Sequence, residues 1–216
     1  MSSSSSELAD AGPKTPEAGP ASVPAAFLPS HGADTRLFRD LRNAFRPWLL
    51  LCRACAALLP DFTFPRLRSS LLRIAGCDLA PRVTLMGRVS LVGSGAIAGR
   101  LHMGEGCVVA PRVTFGLDAD ITLGRNVSLS PGVTLYTATH PIGYGSQRML
   151  PYTTAKPIVI GDGVWVGMNS LILPGVTVGR GCVVSAGSVV ASDVAMNTLV
   201  SGNPAEVRAT LPLGDR

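Results

Sequence analysis

The sequence of 216 residues predicts an all-β solenoid, a parallel β-helix, with an N-terminal α-helical extension. The first observation is a repeat, since an aliphatic side chain returns every six positions along residues 123–196, with one long interruption. This period fits neither an α-helix, which repeats every ~3.6 residues, nor a simple strand. It is typical of a β-helix in which three six-residue sides form a triangular turn and stacked turns bury an apolar column. The repeat positions are Leu123, Leu129, Leu135, Ile160, Val166, Ile172, Val178, Val184, Val190 and Met196.

The second observation concerns the residue four places after each aliphatic position, which is small or β-branched. A narrow triangular core has room for one large side chain per side, so the second inward position is expected to be small. Glycine often follows the aliphatic residue, where a tight corner favours a residue that tolerates positive φ. The spacing does not set the hand of the helix, and ordinary parallel crossovers are right-handed. The small positions are Val127, Val133, Val164, Ser170, Val176, Cys182, Ser188, Val194 and Val200.

Five motifs carry a resemblance to a known family: LGRNV at 123–127, THP at 139–141, IGDGVWVG at 160–167, ILPGVTVG at 172–179 and GNPA at 202–205. The sequence resembles the hexapeptide-repeat acyltransferases, in particular the maltose, galactoside and nodulation-type O-acetyltransferase branch. The resemblance covers about residues 79–209. It implies a left-handed parallel β-helix, a homotrimer, and transfer of an acyl group, by default acetyl, from coenzyme A to a hydroxyl of a sugar or glycosylated acceptor.

The bulk composition agrees with such a core. Hydrophobic residues make up 46% of the chain and aromatic residues only 5%, as expected where Val, Ile and Leu fill a prism with little room for rings. The net charge of +5 is mild and does not indicate a nucleic-acid partner. An anionic donor such as coenzyme A, or an anionic membrane surface, would suit it equally.

The five cysteines bear on the compartment and on metal binding. Their odd number, without the basic start and apolar run of a signal peptide, predicts reduced thiols and a cytoplasmic protein. Cys52 and Cys55 form a single C-x-x-C pair. Zinc would need two further ligands nearby and there is no second pair, so packing is the favoured interpretation and no metal is predicted.

The chain divides by composition into a tail, a helical region and the solenoid. Residues 1–33, rich in Ser, Ala, Pro and Gly, are predicted to be disordered, and residues 210–216 to be a C-terminal tail. Residues 34–78 are predicted to be helical, and Pro47 suits the first turn of a second helix over residues 48–59. That helix is apolar nearly all round but too short to cross a bilayer, which needs ~20 apolar residues.

Two interpretations of this helical region stay open. The helices pack against the solenoid or a neighbouring subunit, or residues 36–73 form a basic amphipathic element at a membrane surface. The second interpretation draws on Arg66, Arg68 and Arg73, which alternate with leucines.

An irregularity in the first part of the solenoid predicts a site. The six-residue spacing runs through Leu79, Leu85, Leu91, Ile97, Met103, Val109 and Phe115. Two residues are then inserted before Leu123, and the insertion contains Asp118 and Asp120. A bulge in a regular solenoid often marks a site, although plain turn chemistry is the alternative. The resemblance aligns Asp118 with the aspartate that lines the acceptor pocket in galactoside-acetylating relatives.

The long interruption predicts the catalytic element. Because the repeat stops after Leu135 and resumes only at Ile160, residues 139–158 must project as a loop, where functional groups concentrate. Acyl transfer to a hydroxyl requires removal of its proton, for which an imidazole with a pKa near ~6.5 is suited. His140 is the predicted general base and matches the family's catalytic histidine, whereas Tyr144 and Arg148 suit a sugar acceptor.

The two other histidines are weaker candidates. His31 lies in the predicted disordered tail, and His102 is predicted to point outward from an early coil. No Cys or Ser of the loop is placed to form an acyl-enzyme, so the predicted transfer is direct.

The donor side is implied by the resemblance alone. In relatives the pantetheine arm lies in the groove between two adjacent prisms, and the matching positions here are Trp165, Met168, Ala186 and Ala191. Trp165 could equally be a buried packing residue.

Two departures from the family pattern limit what the resemblance implies. Basic residues that relatives place near the 3′-phosphate are absent at Ser192, Glu206 and Ala209, for which Arg180 or Arg208 could substitute. Ala110 stands where galactoside-type relatives have an acceptor-holding asparagine, so their acceptor cannot be copied onto this chain.

Two other classes of function are alternatives for a β-helix of this kind. A γ-class carbonic anhydrase shares the β-helix but needs three zinc-bound histidines, and only His102 and His140 lie in the solenoid. A non-catalytic trimeric scaffold would use the helices for docking, and the intact loop around His140 argues against it.

Overall fold

The computed structural model describes residues 47–94 and 97–212, apart from the side chain of Arg53. The predicted disordered tail over residues 1–33, the first predicted helix and most of the predicted C-terminal tail lie outside the described residues. No helix of the described part of the chain is long and apolar enough to cross a membrane.

Two helices precede the solenoid, α1 (Pro47–Leu58) and α2 (Pro65–Ile74). Each begins with proline, which is favoured at the first helical position because its missing N–H has no intrahelical partner there. Helix α2 buries Arg68, Ser69 and Leu72.

Arg68 corrects the sequence interpretation, which put this residue on a basic surface. Its guanidinium group is buried and donates hydrogen bonds to the carbonyl oxygens of Ala56, Leu59, Pro60 and Thr63. A buried cation requires such partners because it loses its hydration. Arg68 therefore ties the end of α1 and the α1–α2 connection to α2.

The rest of the chain forms short strands. They are β1 (Asp78–Leu79), β2 (Thr84–Leu85), β3 (Ser90–Val92), β4 (Leu101–Met103), β5 (Val108–Val109), β6 (Thr114–Gly116), β7 (Ile121–Leu123), β8 (Ser128–Leu129), β9 (Thr134–Tyr136), β10 (Ala138–Thr139), β11 (Thr154–Ala155), β12 (Ile158–Ile160), β13 (Trp165–Val166), β14 (Leu171–Ile172), β15 (Thr177–Val178), β16 (Val183–Val184), β17 (Val189–Val190), β18 (Thr198–Gly202) and β19 (Ala205–Thr210).

Successive coils stack into three sheets, which are the faces of a prism. Face A has the order β1-β4-β7-β12-β15, face B the order β2-β5-β8-β13-β16-β18-β19, and face C the order β3-β6-β9-β14-β17. All pairings within the faces are parallel except β18–β19, which is antiparallel. The predicted all-β solenoid is therefore confirmed, with about six turns.

The inward side chains follow the predicted pattern. The repeat positions from Leu123 to Val190 are buried, and so are the small residues four places later, from Val127 to Val200. Val166 lies beside Leu129 and Val184, and Ile172 beside Leu135 and Val190, so equivalent residues stack in columns.

The first turn departs from the predicted spacing. Leu79 pairs with Met103, so this turn contains one six-residue unit more than a triangular turn needs. The sequence assigned Ile97 to a regular side, but Ile97 precedes a 3-10 turn at Ala98–Arg100 that lies between faces C and A. The six-residue spacing alone could not reveal this insertion because its length equals the repeat.

The last predicted repeat position is also wrong. Met196 is 58% exposed, and Val194 instead lies beside Val178. This coil begins two residues earlier than the repeat predicts. Val194, which the repeat assigns to a small inward position, therefore takes the place that the repeat assigns to Met196. The antiparallel β18–β19 hairpin then ends the solenoid.

Candidate active site

The projecting segment is an antiparallel hairpin. It leaves after β9 on face C, where β10 pairs with β11 through Ala138–Ala155 and Thr139–Thr154. A further bridge joins Ile142 to Met149 beyond this pair. The chain then returns to face A at β12. The hairpin therefore extends from the prism corner between faces C and A, which we call the C/A corner.

His140 lies directly after β10, and its ring orientation is fixed by the opposite arm of the hairpin. Its Nδ1 lies 2.9 Å from the carbonyl oxygen of Leu150, and the N–H of Leu150 donates to the carbonyl oxygen of Pro141 at 3.2 Å. A carbonyl oxygen can only accept, so Nδ1 carries the proton in this bond. The neutral ring therefore has its free lone pair on Nε2, and the side chain is exposed.

Thr137 connects the base of the hairpin to the neighbouring coil. Its hydroxyl donates to the carbonyl oxygen of Gly116 at 2.6 Å and accepts from the N–H of Ala119 at 2.9 Å, while its own carbonyl oxygen accepts from Lys156. Thr137 is completely buried. The segment that carries His140 and the turn that carries Asp118 are thus held together by one side chain.

Asp118 lies in that turn, and part of its carboxylate is used for structure. Oδ1 accepts from the N–H of Ser94 at 3.1 Å and from its hydroxyl at 2.9 Å. The Arg100 guanidinium donates to the carbonyl oxygens of Leu117 at 2.9 Å and Asp118 at 2.8 Å. The extra unit of the first turn therefore fixes the Asp118 turn, and among the described residues Oδ2 of Asp118 accepts no hydrogen bond.

Tyr144 and Arg148 lie at the outer end of the hairpin. The Gln147 N–H donates to the carbonyl oxygen of Tyr144, which closes the turn, and Arg148 donates to the carbonyl oxygen of Gly143 at 3.4 Å. Both side chains are exposed. Among the described residues no hydrogen bond joins either of them to Asp118, so the hairpin does not bring the three predicted acceptor residues into direct contact.

The predicted donor residues lie mostly at another corner of the prism, between faces B and C. Trp165 is 54% exposed, which excludes the alternative that it is a buried packing residue, and its Nε1–H donates to the Ser130 hydroxyl at 3.0 Å. Met168 is exposed on the same coil, and its carbonyl oxygen accepts from Gly187. Ala186 is exposed on the next coil. These residues form a stacked strip that we call the B/C corner.

The remaining donor candidates lie elsewhere. Ala191 follows β17 and is exposed at the C/A corner, and Arg208 is exposed on β19, where it pairs with Glu206 at 3.6 Å. Within one chain His140 and Trp165 therefore lie at different corners, separated by face C. A site that used both would have to cross this face or be completed by a second chain.

Ion pairs lie along the third corner, between faces A and B. Asp162 accepts from the N–H of Arg125 at 2.8 Å and from its guanidinium at 3.0 Å. These bonds, the backbone bond first, hold the pKa of Asp162 below its usual value. Arg82 and Glu105 form a similar pair at 2.8 Å in earlier coils. These contacts join successive coils at a different corner of the prism from the hairpin.

The other reactive side chains of the solenoid are occupied. Burial raises the pKa of the Cys107 thiol, which donates to the Gly124 carbonyl oxygen. The Cys182 thiol donates to the Ala195 carbonyl oxygen. His102 lies 3.1 Å from Asp78, and the described residues contain no group of three His, Cys, Asp or Glu side chains that could hold a metal ion.

The sequence reasoning missed the residues that position His140 and Asp118. The Leu150 carbonyl oxygen orients the His140 ring, Thr137 and Arg100 donate to backbone carbonyl oxygens, and the Ser94 hydroxyl donates to the Asp118 carboxylate. The repeat gave no signal for Thr137, because the small inward position after Leu135 is residue 139.

Comparison with known proteins shows which proteins the chain is similar to. Residues 157–192 match the family model described as bacterial transferase hexapeptide (six repeats). The chain is 36% identical over 107 residues to galactoside O-acetyltransferase of Escherichia coli K12, a match that covers 50% of this chain and 52% of that protein. The chain thus spans about half the length of the relatives it matches in sequence.

Two solved structures extend the likeness to most of the chain. One is a maltose O-acetyltransferase from Clostridium difficile 630, with a TM-score of 0.68, 27% identity, and coverage of 83% of this chain and 90% of that one. The other is a hexapeptide-repeat-containing acetyltransferase from Vibrio cholerae complexed with acetyl coenzyme A, with a TM-score of 0.66, 27% identity, and coverage of 82% and 98%. The predicted resemblance is confirmed, and so is the left hand, because these neighbours are left-handed β-helix acetyltransferases.

Proposed function

We propose that this protein transfers an acetyl group from acetyl coenzyme A to a hydroxyl group of a sugar or glycosylated acceptor, with His140 as the general base. The observation that carries the proposal is the hydrogen bond between His140 Nδ1 and the Leu150 carbonyl oxygen, which leaves Nε2 as an exposed, oriented base. The sugar class rests on the galactoside and maltose O-acetyltransferases that the chain resembles.

In the proposed reaction, Nε2 of His140 removes the proton from the acceptor hydroxyl as its oxygen attacks the thioester carbonyl carbon. The negative charge that develops on the carbonyl oxygen requires a donor, for which a backbone N–H of a neighbouring coil is suited. The tetrahedral intermediate collapses, the C–S bond breaks, and the imidazolium returns its proton to the leaving thiolate. The Leu150 carbonyl oxygen stabilises the imidazolium because it keeps accepting from Nδ1–H throughout.

The donor is proposed to bind at the B/C corner. Trp165 and Met168 offer exposed apolar surface there, and Ala186 leaves room beside them for a narrow pantetheine arm. Ala191 and Arg208 are the remaining candidate contacts, and Arg208 is the candidate for a phosphate of the donor. Since His140 extends from the C/A corner, we propose that the B/C corner of one chain faces the His140 hairpin of the next in a homotrimer.

The acceptor is proposed to lie at the base of the hairpin. Oδ2 of Asp118 can accept from a sugar hydroxyl, and Thr137 holds its turn beside the segment that ends at His140. Tyr144 and Arg148, on the exposed part of the hairpin, would contact the more distant portion of a larger acceptor.

The five cysteines are free thiols, which supports the proposed cytoplasmic location.

The experiment is incubation of the full chain with acetyl coenzyme A and a panel that includes a galactoside, maltose and longer glycans. Release of free thiol and a mass gain of one acetyl group on an acceptor are expected. His140→Ala should lower turnover at least ~100-fold while the melting temperature stays near that of the unchanged protein. No thiol release with any acceptor would favour the alternative, a non-catalytic trimeric scaffold.

A further inference from the structure

Helix α2 has three distinct sides, of which one is buried. Arg68, Ser69 and Leu72 face the rest of the protein and are buried. A second side carries Arg66, Ser70 and Arg73, spaced four and three residues apart, so that they share one surface of the helix.

The third side of α2 carries exposed apolar residues. Leu67 and Ile74, seven residues apart on one stripe, are 48% and 57% exposed. Phe62 and Phe64, just before the helix, are 70% and 63% exposed. An apolar stripe therefore runs beside a basic stripe on the outer surface of the same helix.

The basic stripe lines a pocket of about 350 Å³ between α2 and the loop that joins β1 to β2. Arg66, Arg73 and Arg82 surround it, with Ser70 and Pro81 in the wall. Arg73 uses two N–H groups on the carbonyl oxygens of Leu79 and Ala80, and its other N–H groups bond to none of the residues that the structure describes.

The charge of this pocket is only partly balanced. Arg82 pairs with Glu105, whereas the Arg66 side chain has no ion pair or hydrogen bond among the described residues. The two aspartates that flank α2 in the sequence have other partners, since Asp61 accepts from the N–H of Arg88 and Asp78 lies against His102. Three guanidinium groups around one pocket therefore present a net positive charge to solvent.

We propose that this surface docks the protein onto membranes that contain anionic phospholipids. The pocket of Arg66, Arg73 and Arg82 would bind the phosphate groups of lipid headgroups, and Leu67, Ile74 and the two phenylalanines would enter the interface beside them. Basic and apolar stripes on adjacent sides of a helix give this combination of electrostatic attraction and shallow insertion. Arg68 takes no part in it, because its side chain is buried.

The charge pattern favours a lipid surface over a protein partner. The exposed apolar side chains lie beside positively charged residues, and not beside a mixture of positive and negative ones. Anionic lipid headgroups complement this positive charge. The helices also pack on the first coil, at one end of the prism, where α2 contacts β1 and β2. This end lies away from the long faces along which the proposed trimer would form.

The test is flotation of the full chain with vesicles of phosphatidylcholine alone and of phosphatidylcholine with ~30% phosphatidylglycerol. Binding is expected only to the anionic vesicles. It should fall as the salt concentration rises from about 0.05 to 0.5 M, because salt screens the attraction between the arginines and the anionic headgroups. Arg66→Gln should lower the partition coefficient about fivefold. The double variant Leu67→Ser with Ile74→Ser should lower it roughly tenfold or more, since both apolar side chains leave the interface.

Arg180→Gln is the matched control, because it removes the same charge from an exposed position in a distant coil and should leave the partition unchanged. Each variant is checked for an unaltered assembly mass and melting temperature. Equal binding to both vesicle types, or full binding by Arg66→Gln, would overturn the proposal. It would also fail if the double variant bound normally or changed the assembly mass, since Leu67 and Ile74 would then be covered by residues 1–46 or by a second copy.

Discussion

Replacing Thr137 by valine is expected to destabilise the protein and to slow acetyl transfer together. The substitution keeps the shape of the side chain but removes a hydroxyl that donates to the Gly116 carbonyl oxygen and accepts from the Ala119 N–H. The site is fully buried, so water cannot replace these bonds.

The expected magnitude follows from which groups lose their partners. The Gly116 carbonyl oxygen still accepts from the Thr137 N–H at 3.1 Å, whereas the Ala119 N–H loses its hydroxyl acceptor. One orphaned buried donor costs about 1–3 kcal/mol of unfolding free energy. For a chain of this size each kcal/mol lowers the melting temperature by about 2–4 °C, so a decrease of about 2–12 °C is expected.

The effect on activity arises because the Asp118 turn and the segment before His140 are both held by this hydroxyl. A displacement of ~1 Å between reacting groups can cost ~100-fold in rate, so kcat/KM for acetyl transfer should fall by roughly 10- to 100-fold. Thr139→Val is the matched control. Its hydroxyl is exposed and only approaches the neighbouring His140 carbonyl oxygen at 3.5 Å, so stability should change by less than about 0.5 kcal/mol.

Thermal unfolding and steady-state kinetics of the two variants check this reasoning. A Thr137→Val protein that melts at the temperature of the unchanged protein would show that the hydroxyl is not needed at the base of the hairpin. If it is destabilised but transfers acetyl groups at the normal rate, the positions of Asp118 and His140 are not coupled through Thr137.

Three further predictions concern the coils and the assembly. Gly167→Ala should lower the unfolding free energy by about 1–3 kcal/mol, because a Cβ would lie 2.5 Å from the Ala186 N and 2.7 Å from the Val184 carbonyl oxygen. Gly99 has open space around the position of a Cβ, so Gly99→Ala should lose far less stability. Chemical denaturation of both variants measures the difference. Because its folded pKa is lowered, Asp162 stabilises the protein above the ordinary aspartate pKa of about 3.9, and this contribution is lost as the pH falls through the lower folded value. Asp162→Asn should therefore be less stable than the unchanged protein at pH 7, by no more than the ~0–1 kcal/mol of an exposed pair, and the difference should shrink in acid. A difference that stays constant between pH 7 and pH 2 would contradict the assignment. Light scattering should give three times the chain mass of 22.4 kDa, and a monomer that transfers acetyl groups would refute a donor groove between chains.

The sequence was sufficient for the architecture because the solenoid core is built from local repeats. Each inward position, such as Val166 or Val184, meets the equivalent residue one coil away, so a one-dimensional period encodes the tertiary contacts. The same simplicity explains the error at Ile97, because an insertion as long as the repeat leaves the period intact. The prediction that Met196 points inward was wrong for a different reason. The final coil is shorter than the others, and no later repeat exists to reveal the shift.

The candidate site could be predicted only in part. His140 stood out because a long interruption of a strict repeat must project and few histidines compete with it. Its tautomer depends on the backbone carbonyl of Leu150 across the hairpin, which no side-chain pattern records. For the same reason the roles of Ser94 and Arg100 around Asp118 needed coordinates, and the separation of Trp165 from His140 by face C became visible only once the strands were assigned to faces.

The most direct test of the proposed mechanism is the pH dependence of acetyl transfer by His140→Asn. An asparagine amide can still donate to the Leu150 carbonyl oxygen, so the hairpin should keep its structure and the melting temperature should stay near that of the unchanged protein. With no base in the Nε2 position, kcat/KM should fall at least ~100-fold and lose the pH dependence that the base gives the unchanged protein. A variant that retains both the rate and the pH profile would contradict the assignment of His140 as the base.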